Sequence, residues 1–397
     1  MQLSSGTPFD VAVVGGGLIG AALARALRGM SVALVAPGPG GAPQIAGRFD
    51  QRVYAISPGN AAFLAQLGAW QQLPARRLTP VHAMRVFGDD GSSLIEFDAY
   101  AAGVSELAWI VEDGLLQEAL WRALKTQDGL SRFGPCSLEK LAVADRHANL
   151  VLNDGRTIRA RLVVGADGAS SQVRAQAGIA SEQRDYGQTA VVANFACSRP
   201  HRNVALQWFQ GGLKGGAVLA LLPLPGDHVS MVWSTGEDEA ARLLALDAVA
   251  LAREVAVASH HALGDGFVLV TPPRGLPLKR LAAQRLAGPR VALAGDSAHV
   301  IHPLAGQGAN LGLQDVRALA AALAGREPLR DPGDYRLLRR YERSRAEAIL
   351  AMRHTVHGLF RLFDAKGAAL SRLRNAGLNL TDRIPVLKNV LVRHAMG

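Results

Sequence analysis

Cysteine is nearly missing from this chain: Cys136 and Cys197 are the only two among 397 residues. Two thiols cannot build a disulfide framework, and neither lies in a CxxC pair that would hold a metal, so both are expected to be buried thiols. Aromatic residues are scarce too, at 5% against 49% hydrophobic residues and 43 glycines, which suits an α/β protein with many tight loops. No apolar run approaches the ~20 residues of a membrane span. The longest, Ala217 to Pro225, is far shorter. Met1 to Asp10 lacks the basic and apolar regions of a secretory signal, so a cytoplasmic protein is expected. No His/Asp/Glu cluster has metal-ligand spacing, no GxSxG nucleophile elbow is present and no internal repeat appears, so neither metal catalysis nor serine-hydrolase chemistry is expected. Acidic residues are the minority, 33 against 43 Lys and Arg, for a formal charge of +10.

That surplus is concentrated at one end. From Asp331 to Gly397 there are 13 Lys/Arg against 6 Asp/Glu, and Leu359, Phe360, Leu362 and Phe363 interleave the charges. With no nucleic-acid motif beside it, the stretch points to the inner face of an anionic membrane or an acidic protein partner, and not to nucleic acid. A merely solvated, arginine-rich helix face is the competing reading.

What is present is a set of glycine-rich loops. The stretch Gly295 to Asp315 reads as strand end, tight loop and helix start: Val291 to Ala294 is β-like, Gly306 and Gly308 admit a ligand close to the backbone, and a helical pattern follows from Asn310. Near the start, Val11-Ala12-Val13-Val14 leads into Gly15-Gly16-Gly17-Leu18-Ile19-Gly20 and a small-residue helix, Ala21 to Leu27. Strand, GxGxxG and helix in that order make a dinucleotide-binding unit: Gly15 permits the turn, Gly17 the approach of a diphosphate, Gly20 the packing of helix on strand. The second strand of such a unit, here Val32 to Val35, normally ends in an acid that holds ribose hydroxyls. This chain has Ala36 there, which leaves NAD, NADP and FAD undistinguished at that point.

Arg52 precedes Val53-Tyr54-Ala55-Ile56-Ser57 and a helix over Pro58 to Leu67, a position from which a guanidinium can pair with a diphosphate. Met84 to Phe87 and Leu94 to Phe97 flank Asp90-Gly91 as a hairpin. Trp109 to Asp113 opens a helix with Leu116 and Leu120 on its apolar stripe and Gln117 beside it. A further loop, Gly165 to Arg174, has a Gly-Asp-Gly core around Asp167, which reads equally as a cofactor loop or as a turn with a helix cap. Val191 to Phe195, Ala205 to Phe209, Ala217 to Leu222 and Val229 to Trp233 alternate as an antiparallel sheet with an apolar face. After Asp315 the chain is mostly helical, including Tyr335 to Leu350.

Taken together, Gly15 to Gly20, Gly165 to Arg174 and Gly295 to Asp315 resemble the three FAD motifs of the single-component flavin monooxygenases related to p-hydroxybenzoate hydroxylase. Within them, Ile301-His302-Pro303-Leu304-Ala305-Gly306-Gln307-Gly308, with Asn310-Leu311-Gly312-Leu313 and Asp315, is similar to the signature of the ubiquinone-biosynthesis hydroxylases. Leu338 to Arg345 and the closing Arg393 to Gly397 extend the likeness over almost the whole chain. The resemblance implies an α/β fold in which a Rossmann-like FAD-binding domain is intergrown with an antiparallel-sheet substrate domain, followed by a helical C-terminal region. The FAD-binding domain would be discontinuous, residues 1–75, 106–180 and 281–345; the substrate domain would take 76–105 and 181–280, and a basic helical region 346–397.

It also assigns roles. Gly15, Gly17 and Gly20 would hold the FAD diphosphate, Arg52 and Gln117 the ribose and phosphate region, and Asp296 the ribitol or ribose hydroxyls. Asp167 belongs to a motif that serves both FAD and NADPH, and the backbone of Gly308, Ala309 and Asn310 would face the pyrimidine end of the flavin, where a helix N-terminus favours negative charge. His302 and Pro303 would shape the reactive pocket, while His299 reads as structural. The implied activity is hydroxylation of a polyprenylated phenol in ubiquinone biosynthesis, with NADPH or NADH and O2 as co-substrates, through a flavin C4a-hydroperoxide. A prenyl or quinone reductase of the same fold, and a non-catalytic FAD-folded subunit of a biosynthetic complex, are the alternatives.

Overall fold

The computed structural model describes residues 7–38, 49–90, 93–210, 217–301 and 307–364, with side chains as far as residue 351. His302, Pro303 and Gly306 of the signature loop, Gly91 of the hairpin and residues 365–397 of the basic region lie outside the described residues.

The runs with no polar alternation, Val11 to Val14 and Val32 to Val35, can be strands only if covered on both faces, and they sit in the middle of a parallel sheet. Its parallel strands stand in the order Val291–Leu293, Thr157–Gly165, Phe9–Val14, Val32–Val35 and Leu130–Phe133. The helices Leu18–Ala26, Asp113–Leu124 and Gly308–Ala324 pack beside it, and their apolar stripes join Val11 to Val14 in the largest core cluster. An antiparallel hairpin, Leu138–Val143 with Ala148–Leu152, extends the sheet, and Ala287–Gly288 closes its other edge.

The alternating runs form a second, nine-stranded sheet. Its path is His299–Val300, Arg274–Ala283, Ser181–Ala196, His228–Gly236, Ala217–Leu224, Val204–Gln210, Ala83–Phe87 and Leu94–Asp98, with Val268–Leu269 beside Ser181–Ala196. Period-2 alternation gives this sheet two distinct faces. On the outer face Val191, Phe195, Leu219, Met231 and Trp233 pack under the helices Glu237–Ala245 and Ala248–Ala258. The inner face meets a small three-stranded sheet made of Val53–Ile56, Ala108–Glu112 and Thr79–Val81.

Several expectations need correcting. The second sheet is not purely antiparallel: Val204–Gln210 pairs parallel with Ala83–Phe87, because that strand arrives from a remote segment and not through a hairpin. Its longest strand, Ser181–Ala196, is 16 residues and begins ten residues before the alternating run at Val191. Trp109 to Glu112 is strand, not helix, as its aromatic and β-branched side chains favour; the helix starts at Asp113. The Gly308 helix begins two residues before Asn310, and the Tyr335–Asp364 helix runs unbroken through residue 346.

Candidate functional site

The glycine-rich loops meet at the C-terminal ends of the parallel strands, where open α/β sheets bind ligands. Their glycines differ in what they do. Gly15 has φ +116°, and a Cβ on it would lie 2.1 Å from the Ala166 carbonyl oxygen; one on Gly20 would lie 1.9 Å from the Gly15 oxygen. These two are glycine so that the loop can close on its neighbours. Among the described residues, a Cβ on Gly17 would meet nothing within 4 Å, nor would one on Gly308. Those two leave their backbone uncovered by the described side chains.

The loops are also bonded to one another. Ala166 N–H donates to the Val14 carbonyl (2.8 Å) and Ala294 N–H to the Gly165 carbonyl (3.0 Å). The Ser297 hydroxyl donates to the Gly165 carbonyl, and buried Arg174 donates to the carbonyls of Ser297 and Ala169, both at 2.8 Å. Ile19 fits a notch made by Gly295 and Gly312, whose added Cβ atoms would come within 2.9 and 2.6 Å of it. Trp121 latches the Asp113 helix onto the first loop by donating to the Gly16 carbonyl (2.8 Å).

The cleft between them is rich in bare donors. Among the described residues, the Leu18–Ala26 and Gly308–Ala324 helices both start without a side-chain cap and without an acid in the first turn, which leaves positive helix ends there. Arg52 lies beside Asp113 (3.8 Å) and 5.3 Å from the Tyr54 ring, and Gln117 donates to Asp113 (2.6 Å). Arg52 and Asp296 are accessible to solvent yet walled in by protein, which is the mark of a concave site. Burial lowers the Arg52 value, but Tyr54, Asp113, Asp296 and Asp50 together raise it above the ordinary one. Burial pushes the Asp296 carboxyl up, with Arg52 and His299 pulling the other way.

Two expected site residues turn their side chains inward. Asn310 is 1% exposed; its Oδ1 accepts from Ser57 N–H and Asn60 Nδ2, both 2.9 Å, and its Nδ2 donates to the Ala55 carbonyl (2.8 Å). It stitches the Gly308 helix to the segment carrying Arg52, which leaves only its backbone for a ligand. Asp167 caps the short helix Gln172–Gln176, accepting from the Ser171 hydroxyl and from the N–H groups of Gln172 (2.8 Å) and Val173 (3.1 Å). Ala36 is 2% exposed and wedged against Gly16, whose added Cβ would be 2.5 Å from it.

Below the cleft lies a buried triad. Asp315 accepts from His299 Nε2 (2.6 Å) and Gly295 N–H (3.0 Å) on one oxygen and from Arg345 Nε (2.8 Å) on the other. Burial opposes a charged His299, but the charge and hydrogen bond of Asp315 outweigh it and hold the imidazole above its ordinary value; Asp315 is held below its own by the same partners despite burial. His299 is 4% exposed and its ring is bonded to Asp315, which fits a structural role. A second ion pair, Arg77 with Glu112 (2.7 and 2.6 Å), fixes Asp50 through its N–H (2.6 Å), and Asp50 in turn accepts from Arg52 N–H (3.0 Å) and Gly114 N–H (3.0 Å).

Residues 142–355 match the model of the FAD-binding domain family. A ubiquinone hydroxylase, UbiL, of Rhodospirillum rubrum is 38% identical over 394 residues, spanning 98% of this chain and 89% of that protein. This chain belongs to the FAD-dependent hydroxylases of ubiquinone biosynthesis. The 3-demethoxyubiquinol 3-hydroxylase of Escherichia coli is 34% identical, covering 98% of the chain and 99% of that protein, and human mitochondrial COQ6 is 31% identical, covering 99% and 93%. Pseudomonas aeruginosa PqsL, solved with 2-aminobenzoylacetate, superposes with a TM-score of 0.75 at 25% identity over 94% of this chain and 99% of that one. Klebsiella pneumoniae HpxO with FAD and uric acid, 17% identical, covers 97% of each chain with a TM-score of 0.71 and shares the fold.

Against that family the structure brings Gly15, Gly17, Gly20, Arg52, Gln117, Asp296 and the Gly308 helix start to one cleft. Sequence reading missed Tyr54, Asp113, Trp121 and Arg174. Arg174 and Tyr54 lay inside motifs already marked, so their residue types were the available signal; Trp121 follows Gln117 by one turn of the same helix.

Proposed function

We propose that the chain hydroxylates the aromatic ring of a polyprenylated phenol in ubiquinone biosynthesis, with FAD as its cofactor and NADPH or NADH and O2 as co-substrates. The single observation that supports it best is the donor set of the cleft: two uncapped helix N-termini, one beside the open Gly17, together with Arg52, suit a diphosphate, and the acceptor Asp296 suits hydroxyls. These residues fit FAD, and Gly15, Gly17, Gly20, Arg52, Gln117 and Asp296 would hold its diphosphate and sugar portions. When bound, FAD supplies the redox chemistry that joins NAD(P)H and O2 to ring oxygenation.

The remaining tasks fall to the chain. The N–H groups of Gly308, Ala309 and Asn310 at the helix start would favour negative charge on the part of FAD held there. Asp167 shapes its loop by capping. His302 and Pro303 are assigned to the reactive pocket by their place in the signature alone. The first sheet is the cofactor domain, and the inner face of the second is the roof under which the phenol is oriented and water kept out. The basic stretch from Asp331 onward supports peripheral docking on an anionic membrane, where a prenylated phenol dissolves.

The test is turnover of FAD-loaded protein with a geranylated phenol, NAD(P)H and isotopically labelled O2. One labelled oxygen in the ring per NAD(P)H oxidised is expected. NAD(P)H oxidation without labelled product, or a product reduced in its prenyl or quinone part, would overturn the reading.

A further inference from the structure

The register of the second sheet lays out one row of inner-face residues: Val192, Val232, Ala220, Gln207, Val86 and Ile95. Five of the six are apolar. Val232 and Ala220 are only partly covered, so the row opens onto a space on the side that faces the small sheet. That small sheet carries Val53, Tyr54 and Ala55, next to Arg52 and to the Asn310 anchor of the Gly308 helix. The space between roof and cofactor loops is therefore apolar above and lined with donors below.

Gln207 is the polar exception in the row. It is 6% exposed, and its amide makes no hydrogen bond to any of the described residues. Other inner-face polar groups are shut away from that space: Asn194, whose Nδ2 donates to the Asp50 carbonyl (2.8 Å), and Ser230 are both 0% exposed, and the Asn194 Oδ1 and Ser230 hydroxyl have no hydrogen-bond partner among the described residues. An amide that keeps contact with water loses it when a ligand covers the face, which costs free energy unless the ligand bonds it, and a strand position flanked by Val86 and Ala220 would otherwise take an aliphatic residue.

We infer that Gln207 is a specificity-determining residue, its amide bonding a ring oxygen of the phenol beneath the roof. This rests on the proposed function. A pocket built to hydrogen-bond an oxygen rejects the ring that lacks it, because the amide is then left unpaired.

The experiment titrates FAD-loaded protein with 2-geranyl-6-methoxyphenol and with geranylbenzene, which has no ring oxygen, and reads Kd from the flavin absorbance. Gln207→Leu should weaken the first about three- to tenfold, the size of one lost neutral hydrogen bond, and leave the second within about twofold. FAD content should stay at the wild-type level, and Gln207→Asn, with the amide one methylene short, should fall between. Ser234→Ala, on the same face, is the control and should change neither Kd. Equal effects on both probes, no effect on either, or the same selective loss in Ser234→Ala would overturn the assignment. If the wild type neither binds the phenol nor hydroxylates it, the functional reading fails with it, and failure of the wild type itself tells that case apart.

Discussion

Asp315→Asn changes one charge and almost no volume, and the structure sets what that should do. Asp315 is fully buried, and each of its oxygens accepts hydrogen bonds: from His299 and Gly295 N–H on one, from the Arg345 guanidinium on the other. An asparagine can accept on one side only. Its amide would point donors either at Arg345 or at the Gly295 and His299 pair, and Arg345, 6% exposed, would lose its counter-charge. Breaking a buried pair from one side costs about 3–5 kcal/mol, a large part of the ~5–15 kcal/mol that holds a domain together. At roughly 2 °C per kcal/mol for a chain of this size, the melting temperature should fall by ~5–10 °C.

The pH profile separates a charge effect from a packing effect. His299 has a raised value in the fold, so its contribution is complete below its ordinary 6.5 and is lost as pH rises through the raised value. Asp315 has a lowered value, so its contribution is present above 3.8 and is lost as pH falls through the depressed value. Melting temperature measured from acid to alkaline pH should show both edges in the wild type and flatter edges in Asp315→Asn. A variant that melts within about a degree of the wild type at neutral pH, with the same pH profile, would refute the account of the triad.

Other outcomes follow from the same geometry. Gly20→Ala should disrupt the first loop and abolish FAD retention in gel filtration, since its Cβ would sit 1.9 Å from the Gly15 oxygen; Gly17→Ala should fold normally, melt as the wild type does, and bind FAD at least tenfold more weakly, because its Cβ meets only the open space. Gly308→Ala should stabilise the FAD-free protein by up to about 0.5–1 kcal/mol in urea unfolding while weakening FAD. Arg77→Met should cost about 3 kcal/mol by stranding Glu112, which is 1% exposed, and should loosen FAD through Asp50 and Arg52. Unchanged FAD affinity in a folded Arg77→Met protein would break that chain of positioning.

The parts of the site that could be read from sequence are those that depend on local backbone. Gly15, Gly17 and Gly20 announce themselves by spacing, and for Gly15 and Gly20 the close neighbours of an added Cβ give the steric reason; the start of the Gly308 helix was visible from its glycine and a change of period. What stayed hidden depends on partners far away in the chain. Arg345 meets Asp315 across 30 residues and Arg77 meets Glu112 across 35, and neither arginine carries any local mark that separates it from a surface charge. Trp109 to Glu112 misled because a strand that leads directly into a helix leaves no gap of polarity between them. Gln207 was inside a correctly placed strand, but only the register reveals that its row is otherwise apolar.

Ala36 shows how a missing residue can be a packing consequence. At the tip of the second strand its carbonyl accepts from Cys136 N–H (3.0 Å), its Cβ blocks any side chain on Gly16, and a Cβ on Gly134 would come within 2.7 Å of its oxygen. A carboxylate rooted at this 2% exposed position would be buried, and leaving it unpaired there would cost several kcal/mol. The tight approach of Gly16 and Gly134 to Ala36 favours a small side chain at this strand end. Affinity for the cofactor must then come from the other end of the cleft, from Arg52, Asp296 and the helix ends, so Asp296→Ala should weaken FAD by more than tenfold while Ala36→Asp, far from restoring a ribose contact, should lower the melting temperature. A stable Ala36→Asp protein with tighter FAD binding would show that the wedge opens.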